Sequence, residues 1–490
     1  MMRLDELVHG IADVRVHGPD RYDVTGIELD SRRIEPGFLF AALVGSKVDG
    51  RDFVGEALRR GACAVLSAPP RPEQVTPAAT WIESGRPRRS LALLARRFSG
   101  QPDERMAVVG ITGTDGKTTT TTLLAAALEE AGIRAATSGT LGQRFGARSS
   151  ETALTTQEAP HLWAFLEQSA SEGAAVAAIE VSSAALDAER VHGLEFAGAV
   201  LTGLGHDHLD LHGTPEAYRR AKRSLFEMLG EDAFAVLPDG PAFDDFRRAT
   251  RARVLTFGDR PNAKWRIMDH RATTIGARFR LRGHDFDDDV ETMRPARFDA
   301  FNLAAAVAAA VELGADPRRA ARGAASVRVI DGRWESIDEG QPFFALVDYA
   351  HTPEALERSL RLLRSLSSGR VIVVFGCGGD RDPTKRSEMG RVAALLADLV
   401  IVTDDNPRGE DPEVIARAII DGAADGPAVV ERIVNRAQAI VRAVDATGDE
   451  DVLLIAGKGH ERYQELGDRR LLFDDRQTLR AALRTSTMSP

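Results

Sequence analysis

The sequence predicts an α/β protein in three domains, and three observations carry that reading. At 490 residues the chain is too long for one hydrophobic core. Apolar strands alternate with helices from about 105 to 325, and the alternation restarts near 328, which predicts two sheets with helices on both faces. An apolar strand at 106–111 runs into a glycine-rich turn and then a helix, the context a phosphate-binding loop requires. The predicted units are residues 1–100, a mixed α/β domain; 101–327, a parallel-sheet domain carrying the glycine-rich turn; and 328–490, a second, Rossmann-like doubly wound domain.

Bulk properties narrow the function. Forty-three per cent apolar and 28% charged residues are ordinary for globular cores. A net charge of −10 with no sustained basic block argues against nucleic acid as the main partner. No apolar run approaches the roughly 20 residues that cross a bilayer. The start, Met1-Met-Arg-Leu-Asp-Glu, lacks the apolar stretch of a signal peptide. Cys63 and Cys377 are too far apart in sequence to suggest a disulfide framework. A soluble, cytoplasmic, monomeric protein with no membrane association is expected.

In the first unit, short strands and turns surround Gly26-Ile-Glu-Leu29-Asp-Ser31-Arg and Asp49-Gly-Arg-Asp-Phe. Ser67-Ala-Pro-Pro-Arg-Pro is a loop, and a linking helix follows Arg86. In the second unit the turn reads Gly113-Thr114-Asp115-Gly116-Lys117-Thr118-Thr119. Its glycines let backbone N–H groups curl inward at phosphate oxygens, Lys117 supplies a point charge, and the Thr118 hydroxyl suits Mg²⁺. The preceding glycine, Gly110, stands one residue earlier than the usual phosphate-loop spacing allows. A helix over 117–131, stopped by Gly132, completes the motif, and a nucleoside triphosphate site is the anchor of the reading.

Glu180 ends the predicted strand 174–181 on the same sheet edge, placed to hold Mg²⁺ directly or through water. Ser182 and Ser183, just beyond it, are candidate donors to a polar substrate. A strand over 197–204 leads to His206-Asp-His208-Leu-Asp210-Leu-His212. A dinuclear hydrolase would need a histidine at 211, which is Leu, so His208 is read instead as a metal ligand or phosphate contact. Lys222, on a helix near 215–229, reads by itself as a solvated lysine. In the last unit, strands 343–348, 370–375, 399–403 and 451–456 present loops at one edge. A dinucleotide motif is excluded, because Gly376-Cys-Gly-Gly-Asp-Arg381 has arginine where the third glycine belongs. Arg381, Asp405-Asn406-Pro-Arg408 and Gly457-Lys-Gly-His-Glu461 suit an amino acid, its carboxylate on guanidinium and its ammonium on Glu461.

Together these pieces resemble the Mur ligases, and among them the MurE-type UDP-N-acetylmuramoyl-tripeptide synthetases, over nearly the whole chain. The resemblance implies a uridine-binding first domain using Leu29 and Ser31. It implies acceptor contacts from Thr155, Thr156, Ser182 and Arg190. It places ATP on 113–119 with Asn302, Arg333 and Asp348, and two Mg²⁺ ions on Thr118, Glu180, His208 and a carbamylated Lys222. Lys117, Lys222 and His208 would be the catalytic groups. Arg381, Asn406, Arg408, Gly457 and Glu461 would hold the incoming amino acid. Asp-Asn-Pro-Arg at 405–408 marks enzymes of this family that add meso-diaminopimelate to UDP-MurNAc-L-Ala-D-Glu through an acyl phosphate. The chain also departs from the family. Asp115 stands where Asn is usual, Gln157 where Pro is expected, Ala184 in place of a common His, and Gly203 and Gly205-His206 replace polar residues. Asp299 and Ala305 interrupt the usual Gly-x-Phe-Asn-x-x-Asn. Another amino acid, such as lysine or ornithine, or another acceptor in a secondary pathway is the alternative.

Overall fold

The structure is a computed structural model that describes residues 1–45, 48–76, 79–205, 207, 209–273 and 275–487. The α/β fold expected from the strand and helix alternation is borne out. Three sheets carry the chain in sequence order. Strands between Val14 and Ser84 form a five-stranded sheet, parallel except for Val14–His17 at one edge. An eleven-stranded sheet follows between Ala107 and Thr292, and a six-stranded one between Glu335 and Ala456.

At the centre of the middle sheet, Ala107–Thr112 lies between Val176–Glu180 and Phe196–Leu201, all parallel. Its buried Val108 and Ile111 sit among apolar neighbours on both sides, as a strand covered on two faces demands. One face is packed by the helices Lys117–Glu130, Arg297–Glu312 and Pro317–Ser326. The middle one of these buries alanines all round, Ala300, Ala304, Ala305, Ala306, Ala308, Ala309 and Ala310, which lets three helices approach closely. The opposite face takes Ala159–Ser171 and Pro215–Glu227.

The sheet is longer than strand–helix alternation predicts. After the parallel strand Arg253–Gly258 come Trp265–Thr273, Gly276–Gly283 and Phe286–Thr292, the last two added antiparallel. A second antiparallel pair, Gly142–Phe145 and Arg148–Ser150, closes the other edge. The outer ladder alternates in and out, with Phe279 and Leu281 buried between Arg278, Arg280 and Arg282. Those arginines face Asp287 and Asp289 across the register, so an outward-charged meander was present in the sequence as a period of two.

In the last sheet Phe344–Asp348, Val371–Phe375, Leu399–Val402 and Val452–Ala456 are the strands expected, and all pair in parallel. Val429–Arg432 adds a further parallel strand, and a hairpin, Tyr463–Leu466 with Arg469–Leu472, stands beside their ends. Among the described residues no helix is long and apolar enough to cross a membrane.

Candidate active site

The glycine-rich turn leaves the central strand at Thr112 and enters the helix at Lys117. Gly113 and Gly116 have φ of +149° and +85°, and an added Cβ would meet Thr202 Oγ1 at 1.9 Å or Asn302 Oδ1 at 2.5 Å. Both are therefore glycine for space as well as conformation. Gly110 lies inside the strand against Phe196, so the early glycine is a packing residue and not part of the loop. The loop is braced by the turn after Phe196–Leu201. Thr114 N–H donates to Gly203 O at 3.0 Å, Gly205 N–H donates to Thr114 Oγ1 at 2.8 Å, and Thr202 Oγ1 donates to Asp115 O. Lys117 Nζ folds onto Gly113 O at 2.9 Å and Thr114 O at 2.8 Å. Burial lowers its pKa, against the pull of Glu180, Asp115 and Asp207. Thr119 is buried on the first helical turn.

Beside the loop, Glu180 is 2% exposed and its carboxylate accepts from Thr118 Oγ1 at 3.1 Å, Thr140 Oγ1 at 3.0 Å and Thr140 N at 2.9 Å. Thr155 Oγ1 lies 3.1 Å from Thr140 Oγ1. A carboxylate and several hydroxyls on one sheet edge are hard oxygen donors, the set that suits Mg²⁺. Thr156 Oγ1 donates to Glu180 O at 2.8 Å and accepts from Ser182 N at 3.0 Å, while Ser182 Oγ caps the helix Ser183–Asp187. Arg190 closes this group, donating to Thr156 O at 3.1 Å and pairing with Glu158 at 2.9 Å. Leu29 and Ser31 lie apart, in the turn that follows the strand Gly26–Glu28 of the first sheet, where Ser31 Oγ donates to Glu56 at 2.8 Å. Their neighbour Glu28 reaches the central unit through His161 at 3.2 Å, a link between the two groups that the sequence reading missed.

Lys222 requires a correction. It is no solvated helix lysine: Thr214 and Pro215 start its helix so that Tyr218 and Lys222, one turn apart, share the buried face. Lys222 is 1% exposed, its Nζ donates to Gly113 O at 2.8 Å, and it lies 4.5 Å over the Tyr218 ring. Burial first and Lys117 second drive its pKa well below the ordinary lysine value, with Asp207 and Asp115 opposing. His206 and His208 lie outside the described residues. His212 packs against Tyr218, ring centroids 5.5 Å apart.

The C-terminal unit meets the loop. Arg333 Nη2 donates to Thr118 Oγ1 at 3.2 Å and its guanidinium lies 4.3 Å over the Tyr349 ring. Asp348 orients that turn, accepting from Trp334 N at 3.1 Å, Tyr349 N at 2.9 Å and Ser359 Oγ at 3.0 Å. Burial raises its pKa, with Arg333 opposing. Asn302 accepts from Thr120 Oγ1 at 3.3 Å beside Gly116. Asp299 is answered by Arg294 at 3.0 Å, which also donates to Arg333 O at 3.1 Å. This departure from the family pattern thus braces the turn that carries Arg333.

A second cradle lies at the strand ends of the C-terminal sheet. Asn406 donates to Glu461 at 2.8 Å and accepts from Lys458 Nζ at 2.9 Å and Glu465 N at 2.9 Å. Lys458 is fully buried and reaches Glu461 at 3.1 Å. Burial raises the Glu461 pKa and Lys458 opposes it. Arg408 sits at φ +53°, its Nε donating to Glu465 at 2.8 Å and its Nη1 to Gly379 O at 2.8 Å. Arg408 and Arg381 flank Gly378, and Gly457 packs on Asp405. Lys458 stands inside the Gly457–Glu461 motif, between the two residues that the sequence marks as candidates. A lysine in a glycine-rich turn reads as exposed until the fold buries it.

A glycine-rich loop met by Arg333 from the C-terminal unit, with a second cradle of opposed buried charges at that unit's strand ends, suits an ATP-dependent ligase. Residues 111–310 match the Mur ligase middle domain, 332–459 the Mur ligase glutamate ligase domain, and 23–99 the catalytic domain of the Mur ligase family. The chain belongs to the Mur ligase family. It is 41% identical over 490 residues to the UDP-N-acetylmuramoyl-L-alanyl-D-glutamate–2,6-diaminopimelate ligase of Geobacillus kaustophilus, covering 99% of each chain. The ligase of the same name from Solibacter usitatus is also 41% identical, with 99% of this chain and 98% of that one covered. A solved structure of a 2,6-diaminopimelate ligase of this name superposes with a TM-score of 0.68 at 32% identity over the whole of both chains.

Proposed function

We propose that this enzyme joins meso-diaminopimelate to UDP-MurNAc-L-Ala-D-Glu at the expense of ATP, in the assembly of peptidoglycan precursors. The observation that carries the choice of amino acid is the cradle of Asn406, Arg408, Lys458 and Glu461. A diamino-dicarboxylic acid needs a guanidinium for its second carboxylate as well as a carboxylate for an ammonium, and Arg408 and Glu461, on the two loops that Asn406 and Glu465 join, supply both. In this reading residues 1–100 bind the uridine end of the acceptor, 101–327 bind ATP, and 328–490 bind the amino acid.

The reaction must bring anions together. The D-glutamate carboxylate attacks the γ-phosphate, ADP leaves, and the amine then attacks the acyl phosphate and expels inorganic phosphate. The loop N–H groups and Lys117 balance charge on the triphosphate. Arg333, held over Tyr349, and Asn302 position the nucleotide from the domain boundary, and Asp348 fixes the turn behind Arg333. Thr118 and Glu180 fit one Mg²⁺, which would neutralise phosphate charge. His208 and Lys222 would serve a second. Lys222 could do so only as a carbamate, formed when its neutral amine attacks CO₂ and loses a proton; its burial and lowered pKa make that neutral amine available. Thr155, Thr156, Ser182 and Arg190, with Leu29 and Ser31, would hold the acceptor.

The test is ADP release with UDP-MurNAc-L-Ala-D-Glu, with and without meso-diaminopimelate, lysine or ornithine. Release that requires meso-diaminopimelate is expected. Equal release without any amine would leave an ATPase, and a preference for lysine or ornithine would reassign the cradle.

A further inference from the structure

The phosphate-binding loop carries an acid. Asp115, one residue before Gly116 and two before Lys117, is an anion in a turn built to receive anions. Its carboxylate is paired with Arg358, which stands 243 positions away on the helix Pro353–Leu366 of the C-terminal unit. The next residue on that helix, Ser359, donates to Asp348 at 3.0 Å, so the helix also supports the turn behind Arg333. Further contacts cross the same boundary, among them Arg333 to Thr118 at 3.2 Å and His351 Nε2 to Asp207 at 3.9 Å. The Asp115 backbone is tied by Thr202, so the acid has no route away from the loop except rotation of its own side chain.

We infer that Arg358 is an electrostatic latch, cancelling Asp115 across the domain boundary so that the loop accepts a triphosphate fully only when the C-terminal domain is docked. With the domain docked, the acid is neutralised and the loop presents N–H groups and Lys117. With it withdrawn, Asp115 faces the incoming phosphates as a like charge and opposes them. Because such coupling is reciprocal, bound nucleotide in turn favours the docked arrangement. The side chains are 45% and 35% exposed, so the pair by itself adds little stability. Its effect appears when a highly charged ligand arrives. Arg358 is thus a positioning residue that acts through Asp115, and the inference rests on the reading of the loop as the triphosphate site.

The experiment is calorimetric titration of the full chain with magnesium and a non-hydrolysable ATP analogue, in wild type, Asp115→Asn, Arg358→Gln and the double variant. Arg358→Gln is expected to weaken binding about tenfold, and the double variant to bind within twofold of Asp115→Asn. The Arg358→Gln loss should shrink as salt rises from 50 to 500 mM by about threefold or more. Arg358→Lys, which keeps the charge, should stay within about threefold of wild type, and it carries the test should the glutamine variant not fold. An equal loss in the wild-type and Asp115→Asn backgrounds, or no loss in either, overturns the latch. Failure of wild type itself to bind nucleotide would instead overturn the reading of the loop.

Discussion

Glu180 is held in place by the absence of a side chain at Gly139, and adding one tests whether that placement matters. Gly139 lies in the strand Ala135–Gly139, in a conformation alanine adopts without cost, so Gly139→Ala is a purely steric change. The new Cβ would stand 2.1 Å from Glu180 Oε1, 2.5 Å from Cδ and 2.6 Å from Cγ. Ordinary contact needs about 3.4 Å, so the carboxylate must retreat by roughly 1 Å. Its hydrogen bonds to Thr118, Thr140 Oγ1 and Thr140 N, 2.9 to 3.1 Å long, would then stretch beyond bonding range. Bonds to a charged acceptor contribute about 1.5–3 kcal/mol each. With water replacing some of them, a stability loss of about 2–3 kcal/mol is expected, since Glu180 is buried. Activity should suffer more, because a displacement of about 1 Å in a positioned group costs on the order of 10²-fold. The assay is amino-acid-dependent ADP release alongside thermal unfolding, with Gly230→Ala as control, whose Cβ would meet nothing within 4 Å. A folded Gly139→Ala enzyme with kcat within about threefold of wild type would refute the claim that the Glu180 carboxylate must be fixed.

Lys222→Ala is expected to lower kcat by about 10²-fold or more while leaving the melting temperature unchanged or raised, because it removes a buried, poorly solvated amine; full activity in that variant would end the carbamate proposal. Arg408→Lys keeps the charge but loses the planar fork, so KM for meso-diaminopimelate should rise about 10–100-fold with KM for ATP within twofold. Equal effects on both substrates would show that the variant perturbs the hairpin and not amino-acid recognition. Burial holds His351 down to about 4 and His460 to about 3, whereas unfolded histidine titrates near 6.5. The unfolded chain therefore binds protons that the folded chain does not, and stability falls as pH drops from 6.5 towards 4. Denaturant titrations at pH 7 and pH 5 should show His460→Gln losing up to about 2 kcal/mol less than wild type over that interval, and an equal loss would refute the assignment.

Legible in the chain alone is whatever lies within one strand–turn–helix unit. The loop from Gly113 to Thr119, Glu180 at a strand end, and the loops at 405–408 and 457–461 are local: glycine spacing, an apolar run and a charge at its end specify them without knowledge of the rest. Which of these come together, and which ionisable groups lose their water, follows from how the units pack. On paper Lys222 and Lys458 both look like solvated lysines; burial, with Lys117 close by, makes the first a weak base, and burial sets the second against Glu461. The pairing of Asp115 with Arg358, and of Arg333 with Thr118, joins residues more than 200 positions apart. Such contacts arise from the packing of two sheets that each fold on their own periodicity, and periodicity carries no information about where a neighbouring domain will dock.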